Sequence, residues 1–126
     1  MEEARVETPE AADVNHVQLT GRVSAVPERR TLPSGDEVVA LRVVVKRDDG
    51  GVDTVPVQVG PAPPAGRRPG PGQVGRRSLA SAQRLTTTDR VAVTGGLRRR
   101  WWAAGGARRS VLEVRATRVE PLGSDG

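Results

Sequence analysis

From residue 14 onward, apolar and polar side chains alternate in short runs broken by glycine and proline, the pattern of half-buried strands joined by turns. In a first strand, Val17, Leu19, Gly21 and Val23 share one side, with His16, Gln18, Thr20 and Arg22 on the other. Gly21 in its interior predicts a bend or bulge. Pro27 ends the strand, and Pro33-Ser34-Gly35-Asp36 makes a turn. A second strand runs from Val38 to Lys46; Val39, Leu41, Val43 and Val45 face one way, Val38, Ala40, Arg42, Val44 and Lys46 the other. Asp48-Asp49-Gly50-Gly51 reads as a hairpin loop leading into a third strand, Val52 to Val59. Pro56 within it brings no ladder donor and predicts an edge or a local break.

The next stretch, residues 60–77, holds five prolines, five glycines and four arginines and reads as a flexible basic loop. Ser78 is placed to cap a short helix through Leu85, with Leu79 and Ala82 inward. Thr88-Asp89 makes a turn into a fourth strand, Arg90 to Trp102, with Val91, Val93 and Leu97 in phase and a bend at Gly95-Gly96 where the strand changes partners. A glycine-bearing loop over 103–107 leads to a fifth strand, Ser110 to Val119, with Leu112, Val114 and Ala116 inward. The expected architecture is an all-β, five-stranded barrel with one short helix between strands 3 and 4. That helix position is the layout of the OB-fold, and an SH3-like barrel lacks it. The chain divides into an acidic arm over 1–13, read as disordered, a barrel domain over 14–120 that contains the 60–77 loop, and a short polar tail over 121–126.

Charge sharpens this picture. Residues 1–13 carry five acidic side chains and one arginine, a net of −4, within a chain whose formal charge is +5; the remainder therefore carries +9. A surplus of that size points to a polyanionic partner. Of the 20 basic residues only Lys46 is a lysine. Arginine binds phosphate bidentately and stacks on bases. The richness in alanine, glycine, proline and valine fits a GC-rich genome, which accounts for the choice of arginine over lysine but not for the charge.

Other chemistries find little support. There is no cysteine, hence no disulfide framework or thiolate metal site. The single histidine, His16, has no acidic or histidine neighbour at ligand spacing, and no nucleophile–base pair or paired-carboxylate motif stands out. Asp48, Asp49 and Asp53 suggest Mg²⁺ only weakly beside their role in a turn. The expectation is a non-enzymatic protein without cofactor, metal or small-molecule substrate. No run is apolar enough to span a bilayer and the acidic N-terminus is unlike a signal peptide, so a cytoplasmic protein without a membrane partner is expected.

The most informative stretch is Leu97-Arg98-Arg99-Arg100-Trp101-Trp102, which contains both aromatic residues of the chain. Strand alternation puts Arg98, Arg100 and Trp102 on one face and Leu97, Arg99 and Trp101 on the other. Arginines that follow a phosphate backbone beside an indole that stacks a base are the parts of sequence-tolerant single-strand binding. The competing reading is a solvated arginine run with one or both indoles in the core. On the binding reading, Arg98, Arg100, Arg42 and Lys46 contact phosphates, Arg22 belongs to the same basic surface, Trp102 stacks a base, and Trp101 lies inward.

A family resemblance rests on four segments in order. Asn15-His16-Val17-Gln18-Leu19-Thr20-Gly21-Arg22-Val23 resembles the N-x-V-x-L-x-G-R-[LV] first strand of bacterial single-stranded-DNA-binding proteins. Pro27-Glu28 with Leu32-Pro33-Ser34-Gly35 is similar to their P-E and P-[NS]-G, Asp89 to Arg98 to their D-x-V-x-V-x-G-x-L-R, and Glu113-Val114-Arg115-Ala116 to their E-V-x-A. The resemblance covers about residues 14 to 120. It implies an OB-fold, a homo-oligomer (dimer or tetramer) and coating of single-stranded DNA without sequence preference. The family's aromatics on the second and third strands are replaced by Lys46, Val55 and Gly60, and only the tryptophan near the end of the fourth strand is kept, as Trp102. No acidic, hydrophobic-tipped tail precedes Gly126, and the 60–77 loop is longer than usual, so an accessory paralogue in DNA replication, recombination or repair is expected. Two alternatives stay open: a protein-interaction module like the primosomal replication protein N, and an RNA-binding OB domain.

Overall fold

Valine dominates the buried positions, and its β-branched side chain suits the pleated surface on which nearly all of them sit. The computed structural model describes residues 12–124. Most of the acidic arm expected over 1–13 therefore lies outside the described residues. The elements are β1 (Val17–Val23), β2 (Glu28–Thr31), β3 (Glu37–Lys46), β4 (Val52–Val59), α1 (Arg76–Gln83), β5 (Asp89–Ala104) and β6 (Ala107–Ser124).

The sheet runs β1-β5-β6-β4-β3-β2, and a further β1–β3 pairing closes five of these strands into a barrel. All pairings are antiparallel except β4 with β6. Closure occurs where Arg22 and Val23 meet Val44 and Val43. There β1 runs so close to β3 that a Cβ on Gly21 would overlap the carbonyl oxygen of Val44. Inside, Val23, Leu41, Val43, Val57, Val59, Val91, Val93 and Val114 form one continuous core, to which Ala82 and Leu85 add from the helix segment.

The strand count differs from the expected five. Glu28–Thr31 has no apolar alternation, yet it pairs with Glu37–Ala40, using the half of the β3 edge that β1 leaves free. The helix therefore falls between the fourth and fifth strands of the chain. It also begins earlier than expected: Gly75 is the N-cap, with no side-chain cap, and Arg76 and Arg77 are helical. Ser78, expected to cap the helix, instead accepts a hydrogen bond at Oγ from the Val119 amide, 3.1 Å away, and so ties α1 to β6.

The Pro/Gly-rich loop is anchored as well. Val74 is buried in the core, and its amide donates to the Pro61 carbonyl at 2.9 Å. The tail expected over 121–126 is in part strand, with Pro121 and Gly123 paired to Val91 and Arg90. At Pro56, β4 faces Arg42 of β3, while pairing to β6 begins only at Val57; the missing donor falls just before the parallel ladder. No helix among the described residues is long and apolar enough to cross a membrane.

Candidate nucleic-acid interface

β5 and β6 are far longer than the barrel needs. β1 leaves β5 at Gly95, and β4 meets β6 no earlier than Val114. Beyond these points the two strands pair only with each other, as a two-stranded ribbon that turns at Gly105-Gly106. Both turn glycines have positive φ, 56° and 81°, which glycine adopts without steric cost. At the root of the ribbon the β5–β6 register steps past Thr117, from Thr94↔Arg118 to Gly95↔Ala116. The Thr117 hydroxyl donates to the Thr94 carbonyl at this bulge, at 3.1 Å. A Cβ on Gly95 would overlap the Arg115 carbonyl oxygen, so the close crossing there requires glycine.

Residues directly paired across the ribbon share a face. Arg98, Arg100 and Trp102 thus lie with Glu113, Val111 and Arg109; Leu97, Arg99 and Trp101 lie with Val114, Leu112 and Ser110. Trp101 is 50% exposed and Trp102 39%. Neither indole belongs to the core, which corrects the expectation for Trp101. Leu112, expected inward, is 48% exposed for the same reason: it has the right phase but lies on the ribbon, past the end of the barrel.

The two indoles have different surroundings. Trp101 has the guanidinium of Arg99 5.8 Å and that of Arg108 4.5 Å from its ring centroid, one from each direction along the ribbon. Arg99 also donates to Ser110 Oγ at 2.9 Å. Trp102 has Arg100 at 5.1 Å. These are cation–π distances.

Arg100 holds a second partner. Its Nε donates to Glu113 Oε1 at 3.1 Å, and the Glu113 side chain is only 5% exposed. Arg100 is thus the counter-charge of a buried carboxylate as well as the neighbour of Trp102. Arg98 and Arg109 are exposed, and among the described residues neither has an ion pair or side-chain hydrogen bond.

The remaining expected positions divide between two clefts. Arg42 lines one cleft together with Arg100, Glu113 and Gln58, so the basic face of β3 does run into the Trp102 face of the ribbon. Lys46 and Arg22 line another, with Arg90 beside them. His16 is exposed. In the β3–β4 hairpin, Arg47 pairs with Asp49 at 3.2 Å and Asp53 at 2.8 Å, and no group of three potential metal ligands occurs among the described residues. The Asp49 carboxyl is held below its ordinary range, first by the Gly51 amide and then by Arg47. Sequence reasoning missed Arg109, Arg90 and Glu113 as neighbours of the site. For Arg109 the signal was present: counting outward from Gly105-Gly106 places it opposite Trp102.

No protein-family model matches the chain. A curated relative, the single-stranded DNA-binding protein of Treponema pallidum (strain Nichols), is 32% identical over an alignment of 124 positions, covering 90% of this chain and 60% of the relative. The chain thus spans about 60% of the length of the curated relative it matches. The similarity bears out the resemblance read from the strand motifs.

Proposed function

We propose that this chain binds single-stranded DNA through the ribbon face that carries Trp102, with an OB-fold barrel as its scaffold. The observation that carries the reading is the grouping of Trp102, half-exposed, with Arg98 and Arg109, both exposed, on one face. A flat ring beside exposed cations matches a base followed by its phosphates, and it tolerates any sequence because every base has a π-face. The face runs on through Arg42, and Lys46, Arg22 and Arg90 extend the positive surface around the barrel. The similarity to a protein named for single-stranded DNA binding supports the same partner. In this reading residues 14–120 are the binding unit, the chain works as a homo-oligomer, and its setting is DNA replication, recombination or repair. Catalysis plays no part.

Titration of tryptophan fluorescence with oligo(dT) at several salt concentrations tests the proposal. Binding is expected to quench the signal, and log K is expected to fall linearly with log salt, by about 0.7 per phosphate neutralised. Absence of salt-sensitive binding would leave the protein-interaction module as the better reading. Competition between DNA and RNA strands of equal length separates the RNA-binding alternative, because the 2′-hydroxyl is the group that differs.

A further inference from the structure

The chain enters β1 across the root of the ribbon. The Asn15 carbonyl oxygen lies 3.2 Å from the point where a Cβ on Gly96 would stand. Gly96 shares its ribbon face with Arg98, Arg100 and Trp102, since the β5–β6 register is unbroken from Gly95↔Ala116 to Ala104↔Ala107. The chain preceding Asn15 therefore reaches the ribbon on the Trp102 face, and Ala12, Asp13 and Val14 are exposed. Residues 1–11, which lie outside the described residues, hold Glu2, Glu3, Glu7 and Glu10 against Arg5. The Trp102 face offers the opposite charge: Arg98 and Arg109 are exposed, and Arg100 flanks the indole at 5.1 Å. At roughly 3.3 Å per extended residue, the ribbon strand from Leu97 to Ala104 covers about 26 Å and residues 1–11 reach about 36 Å. The acidic segment is long enough to follow the ribbon from root to tip.

We infer that the acidic segment 1–11 docks on the Trp102 face of its own ribbon and must leave before a strand can bind there. The competition rests on the proposed binding of single-stranded DNA; the docking does not. A carboxylate offers a guanidinium what a phosphate offers, a pair of anionic oxygens. Glutamates spread along the segment thus take the places of phosphates without imitating any base, so the competitor is as indifferent to sequence as the binding it opposes. The segment is tethered to the ribbon at Asn15, which gives it a high effective concentration there. Each exposed ion pair contributes little and is screened by salt, so docking is strongest at low salt. A strand, with a charge on every nucleotide and a base for Trp102 to stack, displaces it. A second copy of the same face would set arginine against arginine, which leaves the acidic segment as the complementary occupant. The Trp101 face lies on the other side of the ribbon, and Arg99 and Arg108 already flank its indole.

The first measurement needs no DNA. Trp101→Phe leaves Trp102 as the sole indole of the full chain, and acrylamide, a neutral quencher, reports its access to solvent. At low salt, adding Glu2→Gln, Glu3→Gln, Glu7→Gln and Glu10→Gln is expected to increase the quenching of Trp102. In the companion chain with Trp102→Phe, the same four changes should leave the quenching of Trp101 unaltered. Oligo(dT) should bind the glutamine variant roughly threefold more tightly at low salt, the scale of one exposed ion pair, and the ratio should fall toward one as salt rises. Equal quenching of Trp102 with and without the glutamates would overturn the inference even if affinity rose, because added net charge alone tightens DNA binding. A change at Trp101 instead of Trp102 would overturn it as well. So would a more accessible Trp102 with unchanged oligo(dT) affinity. If the glutamine variant does not fold, the Trp101→Phe chain with its native glutamates replaces it: quenching that rises with sodium chloride supports docking, and quenching that stays flat overturns it. Failure of oligo(dT) to bind any of these chains would remove the single-strand reading and the competition, while the quenching of Trp102 still decides whether the segment docks.

Discussion

The carboxamide of Asn15 clamps the backbone of Leu97: its Nδ2 donates to the Leu97 carbonyl at 2.8 Å, and its Oδ1 accepts from the Leu97 amide at 2.7 Å. A side chain here does what one more β1 residue would do, prolonging the β1–β5 ladder past Val17↔Gly95. The clamp sits at the root of the ribbon and fixes how the ribbon leaves the barrel. Asn15→Ala is expected to lower stability by about 1 kcal/mol, since both bonds are solvent-exposed and each nets little. Urea unfolding would show this as a lower midpoint at unchanged slope. The Leu97 amide should exchange faster with deuterium.

Gly95 and Gly96 stand at the same root and predict a graded response. A Cβ at Gly95 overlaps the Arg115 carbonyl, a backbone group that cannot step aside without breaking the bulge. At Gly96 the nearest atoms are Asn15 Oδ1 at 3.1 Å and the Asn15 carbonyl oxygen at 3.2 Å, tight contacts but not overlaps. Gly95→Ala should therefore cost about 2 kcal/mol or more, in the range of overpacking a tight site. Gly96→Ala should cost less and act mainly by loosening the Asn15 clamp. Thermal unfolding of the two variants side by side gives the order.

The tryptophans are expected to separate stability from binding. Both are substantially exposed, so Trp101→Ala and Trp102→Ala should each change stability by less than about 1 kcal/mol. Trp102→Ala should weaken oligo(dT) binding by about 1–3 kcal/mol with the salt slope nearly unchanged, because a stack is lost and no phosphate contact. Trp101, with guanidiniums on both sides along the ribbon, should contribute less. Fluorescence quenching in each single-tryptophan variant reports which indole meets the base.

How far the sequence could be read follows from what alternation measures. It gave the inward faces of β1, β3 and β4, because each inward valine there meets a core. It could not reveal that Leu112 and Trp101 look outward, since phase assigns a side chain to a face without saying what covers that face. The ribbon continues the phase of β5 and β6 after the core has ended. β2 was hidden for the opposite reason: Glu28-Arg29-Arg30-Thr31 is polar on both sides, and only the free edge of β3 makes it a strand. The segment from Ala62 to Val74 looked like loose chain because its core anchors, Ala62 and Val74, are surrounded by proline and glycine. Glu113 read as part of a strand motif; its burial comes from the meeting of β3, β4 and the ribbon, which no local pattern encodes.

In the β3–β4 hairpin, the sign of the pH effect follows from Asp49. Its folded carboxyl is depressed by the Gly51 amide, which donates to Oδ1 at 2.9 Å, and by Arg47. The contribution is therefore fully present above the unfolded aspartate value, about 3.9, and is lost as pH falls through the lower folded value. The side chain is exposed, so the effect is small and shrinks in salt. Comparison of wild type with Asp49→Asn by urea midpoint should show a gap at neutral pH that closes on acidification. A gap that widened in acid would show that the pairing does not operate in solution.

Arg98 and Arg100 stand on the same ribbon face, yet they should respond differently to truncation. Arg98 is exposed and has no partner among the described residues, so its charge is available to a phosphate. Arg98→Ala should leave stability unchanged and reduce the salt slope of oligo(dT) binding by about 0.7. Arg100 balances Glu113, whose side chain is 5% exposed. Removing it leaves a carboxylate out of water with no counter-charge. For a fully buried pair that loss is about 3–5 kcal/mol. Because the Arg100 side chain is itself 38% exposed, water reaches the pair and a loss of about 1–3 kcal/mol is expected. Adding Glu113→Gln to Arg100→Ala removes the stranded charge, so the double variant should be more stable than Arg100→Ala alone. A double-mutant cycle by chemical denaturation measures this, and oligo(dT) titration of the same four proteins shows whether Arg100 also contacts phosphate. If Arg100→Ala is as stable as wild type and only the salt slope falls, the ion pair contributes nothing to the fold and Arg100 is free for DNA.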